Sequence, residues 1–289
     1  MDRLIANIRI HERLDSYSSF FDHDWVQRIT ALVAGTKMES PVDTLGMHWK
    51  AAANAHRLPW LMIELLKSFA GGLMRSSSPP ADRLAELMKR RLVADMGNAL
   101  TKKQRTRLSQ LVNNLAQIAR ESSETANRTW TTRAPWAQLW LELVKDGEFA
   151  ISLWGSQRLC YGAVYFAYEN FARDALSAAT GRTVRGDFDS GGKFLADLKK
   201  TFGNQLIVEC VADREVNIAR LVRNSLVHHV GKLTDELRGL PHGLTVEDDV
   251  IQIMAPDTCR LFNALKDRAF KLAQCAVGLP NMRKTGASP

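Results

Sequence analysis

Apolar residues recur at intervals of three and four along most of the chain, a spacing typical of amphipathic helices. One further short helix begins after Pro135 and carries Trp136 and Trp140. Only 244–254 has a strand-like pattern, which predicts a small β-hairpin or an extended loop. The sequence therefore predicts a mainly α-helical protein. The other predicted helices cover 22–34, 59–70, 81–96, 101–120, 148–180, 193–202, 213–237 and 256–277.

The predicted helices fall into two regions of different composition. All seven tryptophans lie at or before position 154, and all but one of the four tyrosines lie after position 160. A polar, Ser/Thr-rich stretch over 121–135 is the best linker candidate. We therefore expect an all-helical, Trp-rich N-terminal region over 1–134, an antiparallel helical bundle over 135–280, and a flexible tail over 281–289.

Composition narrows the function classes only a little. The 289 residues are 45% hydrophobic and 24% charged, with a formal net charge of +8, so a polyanionic partner is permitted but not shown. The four cysteines form no CxxC pair, which argues against a disulfide framework or structural zinc. The charged start argues against a signal peptide, and no apolar stretch reaches the length of a membrane span. These features predict a cytoplasmic protein with no membrane partner.

The predicted helix 213–237 carries the most informative side chains. The chain has no P-loop, GxGxxG, HExxH or GxSxG motif. At 100° per residue, His229 falls on the apolar face of this helix, which predicts a packed or interface histidine. Arg, Asn and His bind phosphate and transfer protons near neutral pH, so the opposite stripe is a candidate site rather than only a solvated face. That stripe contains Asn217, Arg220, Asn224, His228 and Asp235.

The segment Arg223-Asn224-x-x-x-His228 resembles the active-site signature of the HEPN superfamily, small helical domains many of which are ribonucleases. Their pattern is Arg, four to six residues, then His, often with a polar residue after the Arg. Chance alone gives the tighter Arg-Asn form about once in a hundred chains of this length. The run 161–176 resembles the long first helix of such domains, and Glu169 is similar to a polar residue many members place there. A solvated or capping carboxylate is the alternative for Glu169. The resemblance covers about 147–280.

The resemblance implies a metal-independent endoribonuclease that uses the 2′-hydroxyl of the RNA. His228 would act as general base or acid, with His229 as a possible supporting group. Arg223 would stabilise charge on the phosphate, and Asn224 would bind phosphate or orient His228. The expected products are a 2′,3′-cyclic phosphate and a 5′-hydroxyl, with no cofactor and no metal ligands.

The resemblance also implies a homodimer, because two protomers of such enzymes form one composite cleft. Arg223 and His228 lie about 140° apart on an ideal helix, which is compatible with a shared site. Family members of this kind often act as toxins or anti-phage effectors that cut tRNA or other RNA. An antitoxin or an activating partner would then restrain the activity.

Two other interpretations remain open. Some HEPN domains are non-catalytic nucleic-acid-binding, adaptor or dimerisation modules. Alternatively, the N-terminal half binds nucleic acid, because 83–133 holds 11 basic residues against 4 acidic ones. A solvated helical face is the simpler explanation of that charge. The candidate nucleic-acid-binding residues are Lys102, Lys103, Arg105, Arg107 and Arg220.

Overall fold

The computed structural model describes residues 13–65, 136–186, 188 and 192–283, with scattered positions between 90 and 121. A short 3-10 helix, Leu14–Tyr17, precedes the first α-helix, and residues 58–65 are also helical. The prediction of a mainly helical chain with a small hairpin is confirmed. The elements with two described ends are α1 (His23–Val33), α2 (Glu39–His56), α3 (Trp136–Leu143), α4 (Gly147–Thr180), α5 (Gly192–Phe202), α6 (Asn204–Cys210), α7 (Arg214–His228), α8 (Asp235–Arg238), β1 (Thr245–Glu247), β2 (Val250–Gln252) and α9 (Ala255–Val277).

Helix α4 is the central element of the described fold. Asp146 caps its first turn by accepting a hydrogen bond from the Phe149 backbone N–H at 2.8 Å. Gly181 ends the helix in the left-handed conformation at φ 67°. Its 34 residues span about 51 Å at 1.5 Å per residue. Helices α2 and α9 pack along α4, and α5 and α7 also contact it.

The first two helices pack into the same core as the last one. The rings of Trp25 and Trp49 lie 5.2 Å apart between centroids, and Trp49 meets Phe262 of α9 at 5.1 Å. Both indoles donate to backbone carbonyls, Trp25 to Lys266 and Trp49 to Val164, each at 3.0 Å. The buried tryptophans therefore join distant parts of the chain while their N–H groups are satisfied.

The chain divides into two compact units. One comprises Met1–Trp60 and Val144–Pro289, and the other comprises Leu61–Leu143. The core around α4 and α7 therefore extends beyond the predicted bundle at 135–280, because α1 and α2 belong to it.

Part of the predicted flexible tail is held in place. Met282 is fully buried, and its carbonyl accepts a hydrogen bond from the Lys37 backbone N–H at 2.8 Å. Arg283 forms an isolated antiparallel bridge with Thr36. Burial of one methionine and a backbone bridge thus hold 281–283 against the core, and flexibility of the tail stays a prediction.

The predicted helix over 213–237 is wrong in its second half. Helix α7 ends at His228, and the short α8 begins after Thr234. The backbone between them bonds instead to the hairpin, since Ile251 N–H donates to Gly231 O and Leu233 N–H donates to Asp249 O, both at 2.8 Å. These tertiary hydrogen bonds replace the helical ones that the sequence pattern predicts.

The predicted hairpin is present, and its turn follows from local chemistry. Strands β1 and β2 pair antiparallel in the register Thr245↔Gln252, with Asp248 and Asp249 between them at φ 47° and 65°. Two left-handed residues match the twist of a two-residue hairpin turn, and Asp tolerates this conformation better than most residues. All three residues of β2 are buried, so the hairpin packs on the core through this strand.

Candidate active site

The first turn of α7 is fixed by a charge cluster. Asp213 caps the helix by accepting from the Glu215 backbone N–H. Arg268 of α9 donates to Asp213 and also to Glu215, the latter at 2.8 Å. Burial opposes the charge on Arg268, but the two carboxylates outweigh it and raise the pKa of the guanidinium. The start of α7, which carries the Arg-Asn-x-x-x-His segment, is therefore held by paired charges.

Arg223 and Asn224 lie together, half-buried, in the last two turns of α7. The Arg223 Nη1 donates to the Asn224 Oδ1 at 2.8 Å. This bond uses the amide oxygen to hold the guanidinium, which is a different contact from the predicted orientation of His228 by Asn224. Arg220, one turn earlier, donates to Asn217 at 3.0 Å, so Arg220 and Arg223 are each braced by an amide.

Arg223 faces a groove of about 560 Å³ between α4 and α7. Two guanidinium groups line it, and among the residues that the structure describes no carboxylate does. The apolar part of the lining is exposed, since Leu159 is 76% and Val227 61% accessible. The groove therefore combines positive charge with an uncovered apolar surface. Its lining includes Trp154, Arg158, Leu159, Phe166, Arg223, Leu226 and Val227.

His228 and His229 are both exposed. His228 is the last residue of α7, and His229 is its C-cap, with φ −121°. Within this chain, the prediction that His229 packs on the apolar face is wrong. The helix ends at His228, so the side chain of His229 no longer lies on that face. The structure thus presents two imidazoles to solvent at the carboxyl end of a helix.

The turn after these histidines has an unusual backbone. Val230 has φ 56° and Gly231 has φ 82°, and a β-branched residue in the left-handed region is strained. Ser225, which is fully buried, holds the turn: its carbonyl accepts from Gly231 N–H at 2.8 Å, and its hydroxyl donates to Lys232 O. Strained backbone that its surroundings fix in one conformation is common at functional sites.

Glu169, the predicted supporting carboxylate, lies away from the groove lining. It is buried in α4, and its Oε1 accepts a hydrogen bond from the Phe188 backbone N–H at 3.0 Å. The donor lies in a loop, not in the first turn of a helix, so this contact gives the carboxylate a backbone partner without capping a helix. The contact ties α4 to the loop that precedes α5.

The predicted basic patch lies in the other compact unit. Lys102, Lys103 and Arg107 are in helical conformation and exposed. Arg105 lies outside the described residues, as do 122–135 of the predicted linker and all but one residue of the predicted helix 81–96. Within the predicted helix 101–120, 12 of the 20 residues are described, and all of them are helical. The exposed lysines are compatible with either a solvated face or a phosphate-binding surface.

The sequence analysis missed two residues of the groove, Trp154 and Arg158. They stand four residues apart on α4, so they share one face of the helix. The Arg158 Cζ lies 4.1 Å from the centroid of the Trp154 ring, a cation–π contact. The i, i+4 spacing of an aromatic and a basic residue was a readable signal for this pair.

Other chemistry is sparse in the described part of the chain. No group of three or more His, Cys, Asp and Glu side chains there could hold a metal ion. All four cysteines are free thiols, and burial raises the pKa of Cys160 and of Cys210 to about 11. Among the described helices, none is both long and apolar enough to cross a lipid bilayer.

Comparison with known proteins gives no assignment. No family model matches the sequence, no curated protein matches it, and no solved structure matches the fold. The residues of the groove and of α7 are therefore the features that bear on function.

Proposed function

We propose that the protein is an endoribonuclease that cleaves RNA by attack of the 2′-hydroxyl and acts as a homodimer. The observation that carries this proposal is the arrangement on α7. The helix turns Arg223 toward a groove that no described carboxylate lines, and it exposes His228 at its end. Such a groove attracts a phosphodiester, and an exposed imidazole can exchange protons with it. The resemblance of the Arg-Asn-x-x-x-His segment to HEPN ribonucleases adds support.

The chemistry needs one proton acceptor and one proton donor. In the proposed reaction, an imidazole removes the 2′-hydroxyl proton, and the 2′-oxygen forms a bond to phosphorus. The bond from phosphorus to the 5′-oxygen breaks, and that oxygen takes a proton from an acid. The products are a 2′,3′-cyclic phosphate and a 5′-hydroxyl. His228 supplies one of the two proton-transfer roles, and Arg223 stabilises the charge on the non-bridging oxygens.

A second copy of the chain explains how both groups reach one phosphate. Arg223 lines the groove between α4 and α7, whereas His228 is exposed beyond the groove lining. A two-fold arrangement brings the histidine of one protomer toward the arginine of the other. The apolar side chains exposed at the groove support such an interface, because a large uncovered apolar surface marks a binding site.

The test is an RNA cleavage assay with mapped ends. The purified wild-type protein and His228→Ala are incubated with total tRNA and with a structured RNA in excess EDTA. Wild type is expected to cleave and leave 2′,3′-cyclic phosphate ends, and His228→Ala to be about 10²–10⁴-fold slower. His23→Ala is the matched control, because His23 is also exposed but lies on α1. Equal cleavage by wild type and His228→Ala would refute the proposal.

A second candidate is a non-catalytic nucleic-acid-binding or adaptor module. The exposure of Lys102, Lys103 and Arg107 favours it, since surface cations supply salt-sensitive affinity for phosphate backbones. This candidate predicts RNA affinity that survives His228→Ala and falls when Lys102, Lys103, Arg105 and Arg107 are neutralised. An adaptor predicts neither effect.

The proposed activity has a regulatory requirement. An unrestrained ribonuclease that cuts tRNA would stop growth, so a toxin or anti-phage role needs an antitoxin or an activating partner. Co-purification of the protein with a partner that blocks cleavage, and relief of the block when the partner is removed, is the expected result.

A further inference from the structure

Arg158 of α4 is a half-buried cation that lies beside the turn after α7. Its Cζ lies over the Trp154 ring, 4.1 Å from the centroid. The guanidinium also lies against Gly231, since a Cβ on Gly231 would come within 2.5 Å of Arg158 Nη2 and 3.0 Å of Cζ. The absent side chain at Gly231 therefore makes the space in which the guanidinium sits.

The N–H donors of Arg158 and Trp154 lack acceptors in the described part of the chain. Among the described residues, Arg158 has no hydrogen-bond acceptor and no carboxylate partner, and Trp154 Nε1 is buried without an acceptor. Burial lowers the pKa of Arg158, and no neighbouring charge offsets it. Arg268 is the internal contrast, because two carboxylates raise its pKa in a similarly covered position. A half-buried guanidinium without a protein partner keeps N–H donors that an anion can satisfy, so an anion that supplies acceptors gains affinity there.

We propose that Arg158 is a second phosphate-binding residue of the groove and holds the RNA backbone beside Arg223. This inference rests on the proposed ribonuclease function and names a contact for its substrate. It makes Arg158 a substrate-binding residue in addition to the three residues of the Arg-Asn-x-x-x-His segment.

The geometry favours a phosphodiester over other anions. A guanidinium is a planar fork whose edge N–H groups match two phosphate oxygens, and Arg158 is one of the residues that line the groove. Two arginines line the same groove, whose volume of about 560 Å³ is in the range that takes a drug-sized ligand, the size class of a nucleotide. Repeated phosphates along one strand suit two such cations.

The test measures binding separately from cleavage. A 2′-O-methyl RNA, which lacks the attacking hydroxyl, is titrated into wild-type protein and into Arg158→Gln. The substitution is expected to raise the Kd about ten-fold and to reduce the slope of log Kd against log salt by about 0.7. Arg158→Lys keeps the charge without the fork and is expected to fall between the two.

The controls separate this contact from general charge. Arg182→Gln also removes one positive charge, but Arg182 pairs with Asp197 outside the groove lining, so its Kd should equal that of wild type. Melting temperatures are measured for every variant. If Arg158→Gln does not fold, Arg158→Lys carries the test, and a wild-type Kd for it would overturn the proposal.

The outcomes distinguish the two proposals. Cleavage by wild type together with an unchanged Kd for Arg158→Gln would overturn the role of Arg158 and leave the ribonuclease intact. Arg158-dependent binding without cleavage would support the role of Arg158 and refute the ribonuclease. Inorganic phosphate is titrated in parallel and should compete with RNA only at millimolar concentration. Tighter competition would assign the site to the free ion and overturn RNA as the ligand.

Discussion

At the first turn of α7, Arg268 meets two carboxylates and closes a satisfied charge cluster. Beyond the last turn of α7, Arg158 of α4 lies over the Trp154 indole and has no acceptor among the described residues. Val230 in the same turn has a strained, positive φ. The two half-buried guanidinium groups thus differ in their surroundings: Arg268 has carboxylate partners, and Arg158 has none among the described residues. The first end stabilises the fold, and the second keeps unsatisfied donors and strain, which are the features of a site that binds a ligand.

The largest expected effect tests whether the second end performs chemistry. Arg223→Gln should lower kcat/KM for RNA cleavage by about 10²–10³-fold, the usual loss when one donor to a developing negative charge is removed. Its melting temperature should stay close to that of wild type, because Arg223 is only half-buried. Arg268→Gln should leave kcat/KM unchanged at a temperature where it is folded. Equal losses of kcat/KM in Arg223→Gln and Arg268→Gln would contradict the functional difference between the two ends of α7.

The next effect tests whether the first end stabilises the fold. Arg268→Gln should lower the free energy of unfolding by about 2 kcal/mol, because Asp213 and Glu215 lose their shared charged donor. Urea denaturation measures it. Arg182→Gln is the control, since exposed ion pairs contribute little. A change within the error of that control would show that the cluster does not hold α7.

Relief of strain at the second end should have a smaller effect. Val230→Asn is expected to raise the free energy of unfolding by about 1 kcal/mol, because Asn tolerates positive φ and the valine is 74% exposed. Val227→Asn is the matched control inside α7, where no strain exists to relieve and no gain is expected. Urea denaturation of both variants checks the difference, and a loss of stability in Val230→Asn would contradict the strain.

The smallest expected effect is a pH dependence of the melting temperature that comes from the core and not from either end of α7. His56 is fully buried and bonds Gln157 at 3.0 Å, and burial lowers its pKa from 6.5. As pH falls below 6.5, the unfolded state takes up this proton first, so the melting temperature should decline between pH 7.5 and 5.5. His56→Gln should flatten this decline, whereas exposed His23→Gln should not. An unchanged slope in His56→Gln would contradict the assignment.

Local signals predicted much of the fold. The caps Asp146 and Asp213 and the left-handed Gly181 set helix ends that the sequence pattern located within one residue. The missed α2 contains Pro41 and Gly46 and has apolar residues on several faces, so its helical periodicity is weak. The missed α6 has seven residues, which is too short for a periodic pattern.

The site was harder to predict because its form depends on tertiary contacts. The motif residues Arg223, Asn224 and His228 are visible as a spaced triplet, but the end of α7 is decided by backbone bonds to the hairpin. Likewise, the spacing of Trp154 and Arg158 is visible in the sequence. The surroundings of Arg158, which offer no acceptor from the described residues, form only when α4 and the Gly231 turn come together.

The joining of α1 to α9 has a consequence for biosynthesis. The Trp25 indole and the Asp22 carboxylate both bind Lys266, 241 and 244 residues further along the chain. Because a ribosome delivers residues in order, α1 must wait for almost the whole chain before its native partner exists. The nascent chain therefore leaves the surface of α1 that faces Lys266 without its native partner until α9 has been made, whereas α2 meets α4 earlier.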